Sequence, residues 1–257
     1  MYKEINQKIV ATIEARMTSS RLPGKVLFDL QGKTVLGHII ERLRRSKYID
    51  QVVVATTVNE TDDPIIELCN QLDCKYYRGS EDDVLDRVLK TAQSVNGDII
   101  VEITGDCPVI DWRHVDHLIE LFYSDKYDYA ANIIKRTFPR GFDTQVFPTK
   151  ILEDVWKSTE DPKDREHVSF YIYTHPEKYL LGNWEAPKNI HHPELEITLD
   201  TKEDYELIKH IYDILYTKNN DFSAEDVVEL LLSNEKLANI VASVNRKHVR
   251  EEDEIGS

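Results

Sequence analysis

The sequence predicts an α/β fold in which a mostly parallel sheet is sandwiched by helices. Three observations lead there. Short apolar, β-branched runs alternate with segments of helical spacing through the first half of the chain. No hairpin signal joins one apolar run to the next, and strands separated by helices pair in parallel. The chain has 257 residues, 41% of them hydrophobic, enough to bury one substantial core or a core with a small appended lobe.

In order along the chain, residues 9–13 form the first strand and a cation-rich loop follows. Val35, Leu36, Ile39, Ile40 and Leu43 predict a helix over 34–46. Its outer face carries Glu41, Arg42, Arg44 and Arg45. Residues 51–56, dense in valine, make the second strand. Thr61-Asp62-Asp63-Pro64 starts a second helix, with proline in its first turn. A short third strand covers 74–77. Ser80 and Asp83 have the spacing of a capping box for a helix reaching about Val95. Residues 98–104 form a fourth strand, Asp111 caps a helix to Phe122, and 127–132 form a fifth strand.

From Ile133 the alternation breaks. Residues 135–143 are basic and aromatic with Pro and Gly punctuation. Helices are expected over 149–158 and 162–174, and strand-like runs at 180–184 and 195–199. Segment 133–194 therefore reads as an inserted lobe, antiparallel or mixed, on a core of 1–132 plus 195–243. Helices at 202–216, 224–233 and 235–243 follow, and 244–257 is a charged tail.

The balance of 32 cations against 47 anions, net −15, argues against a nucleic-acid backbone or an anionic membrane as partner. No run of about 18 apolar residues predicts a membrane helix. The start, MYKEINQK, lacks the apolar core of a signal peptide, so the cytoplasm is expected. Cys69, Cys74 and Cys107 have no metal-ligand spacing, and three thiols without a disulfide framework suit a reducing compartment.

Against that acidic background the loop after the first strand stands out. It carries Arg16, Thr18, Ser19, Ser20, Arg21, Pro23, Gly24 and Lys25. It sits at the carboxyl end of a strand, the edge where open α/β sheets bind ligands. Two guanidinium forks, an ammonium and exposed backbone N–H groups suit several phosphate oxygens. A glycine triplet for dinucleotides is missing, and so is a Walker A loop: Val26 follows Gly24-Lys25, and Ser19 stands where the earlier glycine would be. Asp106 ends an apolar strand and points to the same crevice, where it could ligate Mg²⁺ on phosphates. Asp200 also closes an apolar run, but Asp before Thr-x-x-Asp equally starts a helix. Arg78-Gly79-Ser80 closes the third strand, either beside a base or ribose or as a plain turn. Arg165, Glu166 and His167 could orient an acceptor or take its proton. Glu81-Asp82-Asp83 offers a metal-binding pattern but also suits a helix N-terminus.

The run Ala15-Arg16-Met17-Thr18-Ser19-Ser20-Arg21-Leu22-Pro23-Gly24-Lys25 resembles the signature of the spore coat polysaccharide biosynthesis protein F family of cytidylyltransferases. It is also similar to the matching loop of CMP-Kdo and CMP-sialate synthetases. The similarity continues in order through Val53-Val54-Ala55-Thr56-Thr57, residues 78–87, Ile103-Thr104-Gly105-Asp106-Cys107-Pro108, Pro139-Arg140-Gly141-Phe142-Asp143, Arg165-Glu166-His167-Val168 and Leu199-Asp200-Thr201. Thr18 departs from the pattern, where glycine is common.

The resemblance implies a Rossmann-like fold of the nucleotide-diphospho-sugar transferase type. It implies transfer of CMP from CTP to a sugar acid or phosphorylated acceptor with release of pyrophosphate, Mg²⁺, and a homodimer built partly by the inserted lobe. Carried over, Arg16, Arg21 and Lys25 hold the triphosphate among Ala15, Met17, Ser19 and Ser20, and Arg16, Lys25 and Asp106 carry catalysis. Asp106 and Asp200 become the metal ligands. Arg78, Gly79 and Ser80 lie at the base and ribose with Thr56 and Asp83, and Arg140, Glu166 and His167 face the acceptor. Two rivals remain: a glycosyltransferase with its metal at Glu81-Asp82-Asp83, and a non-catalytic nucleotide-binding protein.

Overall fold

Ile9, Val10, Ala11 and Ile13 are all buried because their strand has a neighbour on each side and helices over both faces. The computed structural model describes residues 6–234, with 237 and 240. In chain order the elements are β1 (Ile9–Glu14), a small hairpin of β2 (Asp29–Leu30) and β3 (Lys33–Thr34), α1 (Val35–Leu43), β4 (Gln51–Thr57), α2 (Asp63–Gln71), β5 (Lys75–Gly79), α3 (Val84–Ser94), β6 (Ile99–Thr104), α4 (Trp112–Ser124) and β7 (Tyr129–Ala131). They continue with β8 (Gln145–Pro148), α5 (Thr149–Ser158), α6 (Pro162–Glu166), α7 (Phe170–Thr174), β9 (Leu181–Asn183), α8 (Lys202–Ile211) and α9 (Ala224–Ser233).

Seven strands form one sheet in the order β5-β4-β1-β6-β8-β7-β9. The ladders joining β5, β4, β1 and β6 are parallel, as the alternation predicts. One face packs Ile9, Ala11 and Ile13 against α1, α4, α8 and α9. The other packs Ile100 and Phe147 against Leu85, Val88 and Leu89 of α3 and Leu152 of α5. Among the described residues no helix is long and apolar enough to cross a membrane.

The structure differs from the sequence reading at several points. β8 was not expected; it lies antiparallel between β6 and β7. Segment 133–194, read as an inserted lobe, thus gives β8 and β9 to the main sheet, and its boundaries do not divide that sheet. The run 195–199 joins no ladder and makes a single bridge, Arg140 to Glu196. The helix read over 162–174 is two helices, broken where Val168 takes φ 40. The hairpin β2–β3 turns at Gln31 and Gly32, both at positive φ. Ser80 is not the cap of α3: Asp83 is, accepting from the Asp86 N–H. The expected helix over 235–243 and the tail at 244–257 lie outside the described residues, Leu237 and Ile240 excepted.

Asp111 is the predicted cap of α4 and does more than cap it. Its fully buried carboxylate accepts from the Arg113 N–H at 2.9 Å and from the Ala224 N–H at 2.7 Å, the first residue of α9. Asp111→Ala strands two amides at once. It is expected to lower stability by about 2–3 kcal/mol, read from urea unfolding midpoints.

Candidate functional site

β1 ends at Glu14 and delivers the loop 15–28 to the carboxyl edge of the sheet. A buried side chain from the start of α2 holds that loop. Asp62 accepts from the Met17 N–H at 2.7 Å, the Thr56 hydroxyl at 3.1 Å and the Thr57 N–H at 3.1 Å. The Gly24 N–H closes the loop onto the Met17 carbonyl at 2.9 Å. Glu81 ties down its outer side, accepting from Arg16 at 3.1 Å, from Asn59 and from the Thr18 hydroxyl. Thr18, the departure from the family pattern, is therefore an anchor.

The end of β6 comes up against the end of β1. The Gly105 N–H donates to the Glu14 carbonyl at 2.8 Å, and a Cβ on Gly105 would meet that oxygen at 2.5 Å. Only glycine lets the strands approach this closely and set Asp106 beside the loop. The Asp106 carbonyl accepts the Leu199 N–H at 2.8 Å, which brings Asp200 to the same edge. Thr201, not Asp200, caps α8. That leaves the Asp200 carboxylate to the crevice, and the reading of Asp200 as the helix cap is not what the structure has.

Lys25 Nζ lies 2.9 Å from Asp200 Oδ1 and 3.3 Å from Asp106 Oδ2. Arg21 meets Asp200 Oδ2 at 2.9 Å, and the Thr104 hydroxyl donates to Asp106 Oδ1 at 2.6 Å. Burial alone would raise the Asp106 carboxyl and lower the Lys25 ammonium. Their attraction, with Thr104 on one side and Asp200 on the other, outweighs it and holds Asp106 below the carboxylate range and Lys25 above the lysine range. Two carboxylates converging on one cation form the hard-oxygen set that suits Mg²⁺.

These groups line a cleft of about 280 Å³. Of the predicted residues, Ala15, Arg16, Ser19, Ser20, Arg21, Lys25, Asp106, Glu166, His167 and Asp200 line it. Met17, Thr56, Arg78, Gly79, Ser80, Asp83 and Arg140 do not. Thr56 serves Asp62. Arg78 donates to the Thr57 carbonyl at 2.8 Å and the Asn59 carbonyl at 2.7 Å and pairs with Asp63, so it braces the turn after β4. What approaches Gly79 is the stem of Arg87, 3.0 Å from a Cβ there. The Ser80 hydroxyl accepts from the Asp83 N–H. Asp83 also pairs with Arg165, and Arg140 lies beside Glu196. With Glu81 and Asp83 so engaged, the rival metal pattern has lost two of its three carboxylates to cations, hydroxyl and amides.

The lining includes two charged residues that the sequence reading missed, Glu14 and Arg87. Burial pushes the Glu14 carboxyl up to about 7; Arg87 and Arg16 oppose the rise and Asp106 adds to it. The signal was present: like Asp106, Glu14 is an acid closing an apolar strand. A second cluster, Asp111, His114 and Glu225, holds ligand atoms within 4.8 Å of one another. There Asp111 meets the N-termini of two helices and Arg113, a positive surrounding that disfavours a cation.

A low folded value makes the Asp106 contribution to stability present above the ordinary aspartate value, ~3.9, and lost as pH falls through its folded value. A high folded value makes that of Lys25 present below the ordinary lysine value, ~10.4, and lost as pH rises through its folded value. Lys25→Met is therefore expected to cost about 1–3 kcal/mol near neutral pH. The deficit should hold down to about pH 4 and shrink below it, as pH falls through the folded value of Asp106; urea midpoints at neutral pH, near pH 4 and below it measure the difference.

Residues 10–242 match the family model described as Cytidylyltransferase. The spore coat polysaccharide biosynthesis protein SpsF of Bacillus subtilis is 36% identical over 232 residues, covering 88% of this chain and 95% of that protein. A cytidylyltransferase structure from Leptospira borgpetersenii superposes with a TM-score of 0.85 at 33% identity, covering 95% of this chain and all of the other. A CMP:2-keto-3-deoxy-manno-octonic acid synthetase, solved with CTP, has a TM-score of 0.60 at 20% identity, covering 80% of this chain and 98% of that one, and shares the fold. A basic loop and two aspartates meeting at one sheet edge thus sit in a chain that matches one family from end to end of its sheet: it belongs to the cytidylyltransferases and is a nucleotidyltransferase enzyme.

Proposed function

We propose that this enzyme transfers a cytidylyl group from CTP to a small sugar acid or phosphorylated acceptor, in the assembly of a surface polysaccharide. The observation that carries this is the convergence of Lys25 on Asp106 and Asp200, with Arg21 and Arg16 on the same cleft. CTP as donor is taken from the relative solved with it and from the family.

In the reaction an acceptor oxygen attacks the α-phosphorus, a new O–P bond forms, the bond to the β-phosphate breaks and pyrophosphate leaves; a hydroxyl acceptor also gives its proton to a carboxylate or to water, whereas an ionised phosphate acceptor has none to lose. The protein has little covalent work to do, so positioning and charge dominate. Lys25 and Arg21 exchange their carboxylates for triphosphate oxygens, and the Ser19 and Ser20 segment flanks them. Asp106 and Asp200 are the residues that would hold Mg²⁺, which when bound supplies charge neutralisation to the triphosphate and the leaving group. Glu166 and His167 wall the side where an acceptor would be read, and Arg140 has no part in that wall. The glycosyltransferase alternative loses its support with Glu81 and Asp83 otherwise engaged.

The test is pyrophosphate release across the four nucleoside triphosphates, each with a panel of sugar acids and phosphorylated sugars. Release is expected with CTP and an acceptor together; no release with any acceptor overturns the reading. Lys25→Ala should lower kcat/KM by about 10²–10⁴-fold with the fold retained. Asp106→Asn should lower turnover and flatten its response to Mg²⁺; an unchanged Mg²⁺ dependence would remove Asp106 as a ligand.

A further inference from the structure

Glu166 and His167 reach the cleft from the end of α6, just before the chain reverses at Val168. That residue is buried and holds φ 40, a conformation that β-branched side chains rarely adopt and that surrounding structure must impose. Ser169 follows at the N-cap position of α7, yet its side chain does not cap the helix. Its buried hydroxyl turns to the sheet and donates to Gln145 Oε1 at 2.6 Å. The same oxygen accepts from the Tyr129 hydroxyl at 2.7 Å. Gln145 on β8 is the cross-strand partner of Glu102 on β6. Glu102 is in turn the cross-strand partner of Thr12, two residues before Glu14 on the cleft floor.

We propose that Ser169 and Gln145 form a positioning unit that pins the corner at Val168 and so presents Glu166 and His167 to the cleft. The serine gives up a helix cap for this bond, and a capping residue that leaves its own helix uncapped is otherwise hard to account for. Burial, with Glu14 adding, drives the carboxyl of Glu102, the neighbour of Gln145 on β6, well above the carboxylate range. The geometry of the corner stands on its own; that the wall it builds reads an acceptor rests on the cytidylyl-transfer reading.

His167 reports on the corner without any substrate. Burial holds its imidazole below the ordinary histidine value, Lys163 adding and Glu166 opposing. In Ser169→Ala, followed by NMR titration of His167, the loosened corner should expose the ring, and His167 should titrate at higher pH than in the parent protein. Gln145→Met removes the shared acceptor and should act the same way, which covers the case where one variant fails to fold. Glu102→Gln keeps the shape of the neighbour on β6 and leaves the bond between Ser169 and Gln145 in place, so it should leave the titration unchanged. Mg²⁺–CTP affinity by calorimetry should stay within about twofold in all three. A parent-like His167 titration in both Ser169→Ala and Gln145→Met overturns the proposal, as does a tenfold loss of CTP affinity, which would make the network a general support of the cleft. Because the titration needs no nucleotide, it remains decisive even for a protein that bound no CTP.

Discussion

Lys25 carries its charge to a place where 11% of its side chain is exposed, and Asp106 and Asp200 are what make that possible. Withdrawing an ammonium from water costs several kcal/mol unless partners replace the lost hydration. Two carboxylates brought together without a cation would repel one another at similar expense. Each of the three charges is tolerable only in the presence of the others. The surrounding devices serve that meeting: Asp62 fixes the loop that carries Lys25, Gly105 lets β6 close on β1, and the Leu199 N–H draws Asp200 to the end of β6.

The same residue type behaves in opposite ways a few ångströms apart. Asp106 is held charged because an ammonium and a hydroxyl face it. At Glu14 and Glu102, on adjacent strands and one face of the sheet, burial outweighs what opposes it, Arg87 and Arg16 at Glu14 included, and pushes both toward the neutral form. Glu14 Oε1 and Glu102 Oε2 are buried without a hydrogen-bond partner among the described residues. The raised value of Glu14 thus lessens the negative charge that one acid of the cleft lining carries near neutral pH, in a protein of net −15.

The parallel half of the sheet was legible because β1, β4 and β6 are continuous apolar runs buried on both faces. Asp106 was legible as the acid that ends one of them. β8 was not: Gln145-Val146-Phe147-Pro148 is four residues long, and its partner β6 lies more than forty residues earlier, so no local pattern marks the pairing. Arg78 and Ser80 misled for another reason. Position at a strand end says where a side chain begins and is silent on which backbone carbonyls claim its donors; the turn at 57–59 claimed Arg78. Asp200 shows the converse. Sequence left cap and ligand open, and one residue of offset in the capping box of α8 takes Asp200 out of the capping role.

The charge pattern of the cleft also constrains how a triphosphate can enter. Arg16, Arg21 and Lys25 are each matched by a carboxylate of Glu81, Asp200 or Asp106 before any ligand arrives. The site therefore has no surplus of positive charge to offer, and a polyanion cannot bind by adding to it. Under the proposed function it would bind by exchange, phosphate oxygens taking the places of carboxylates on the arginines and the lysine. That exchange leaves Asp106 and Asp200 facing the phosphates across a partly desolvated gap, where like charges repel strongly. Under the proposed reading the two aspartates are thus an obstacle to a bare nucleotide and an attraction to one that arrives with a divalent cation. On that reading the ion pairs of the free enzyme would act as a filter for the metal-loaded form of the donor.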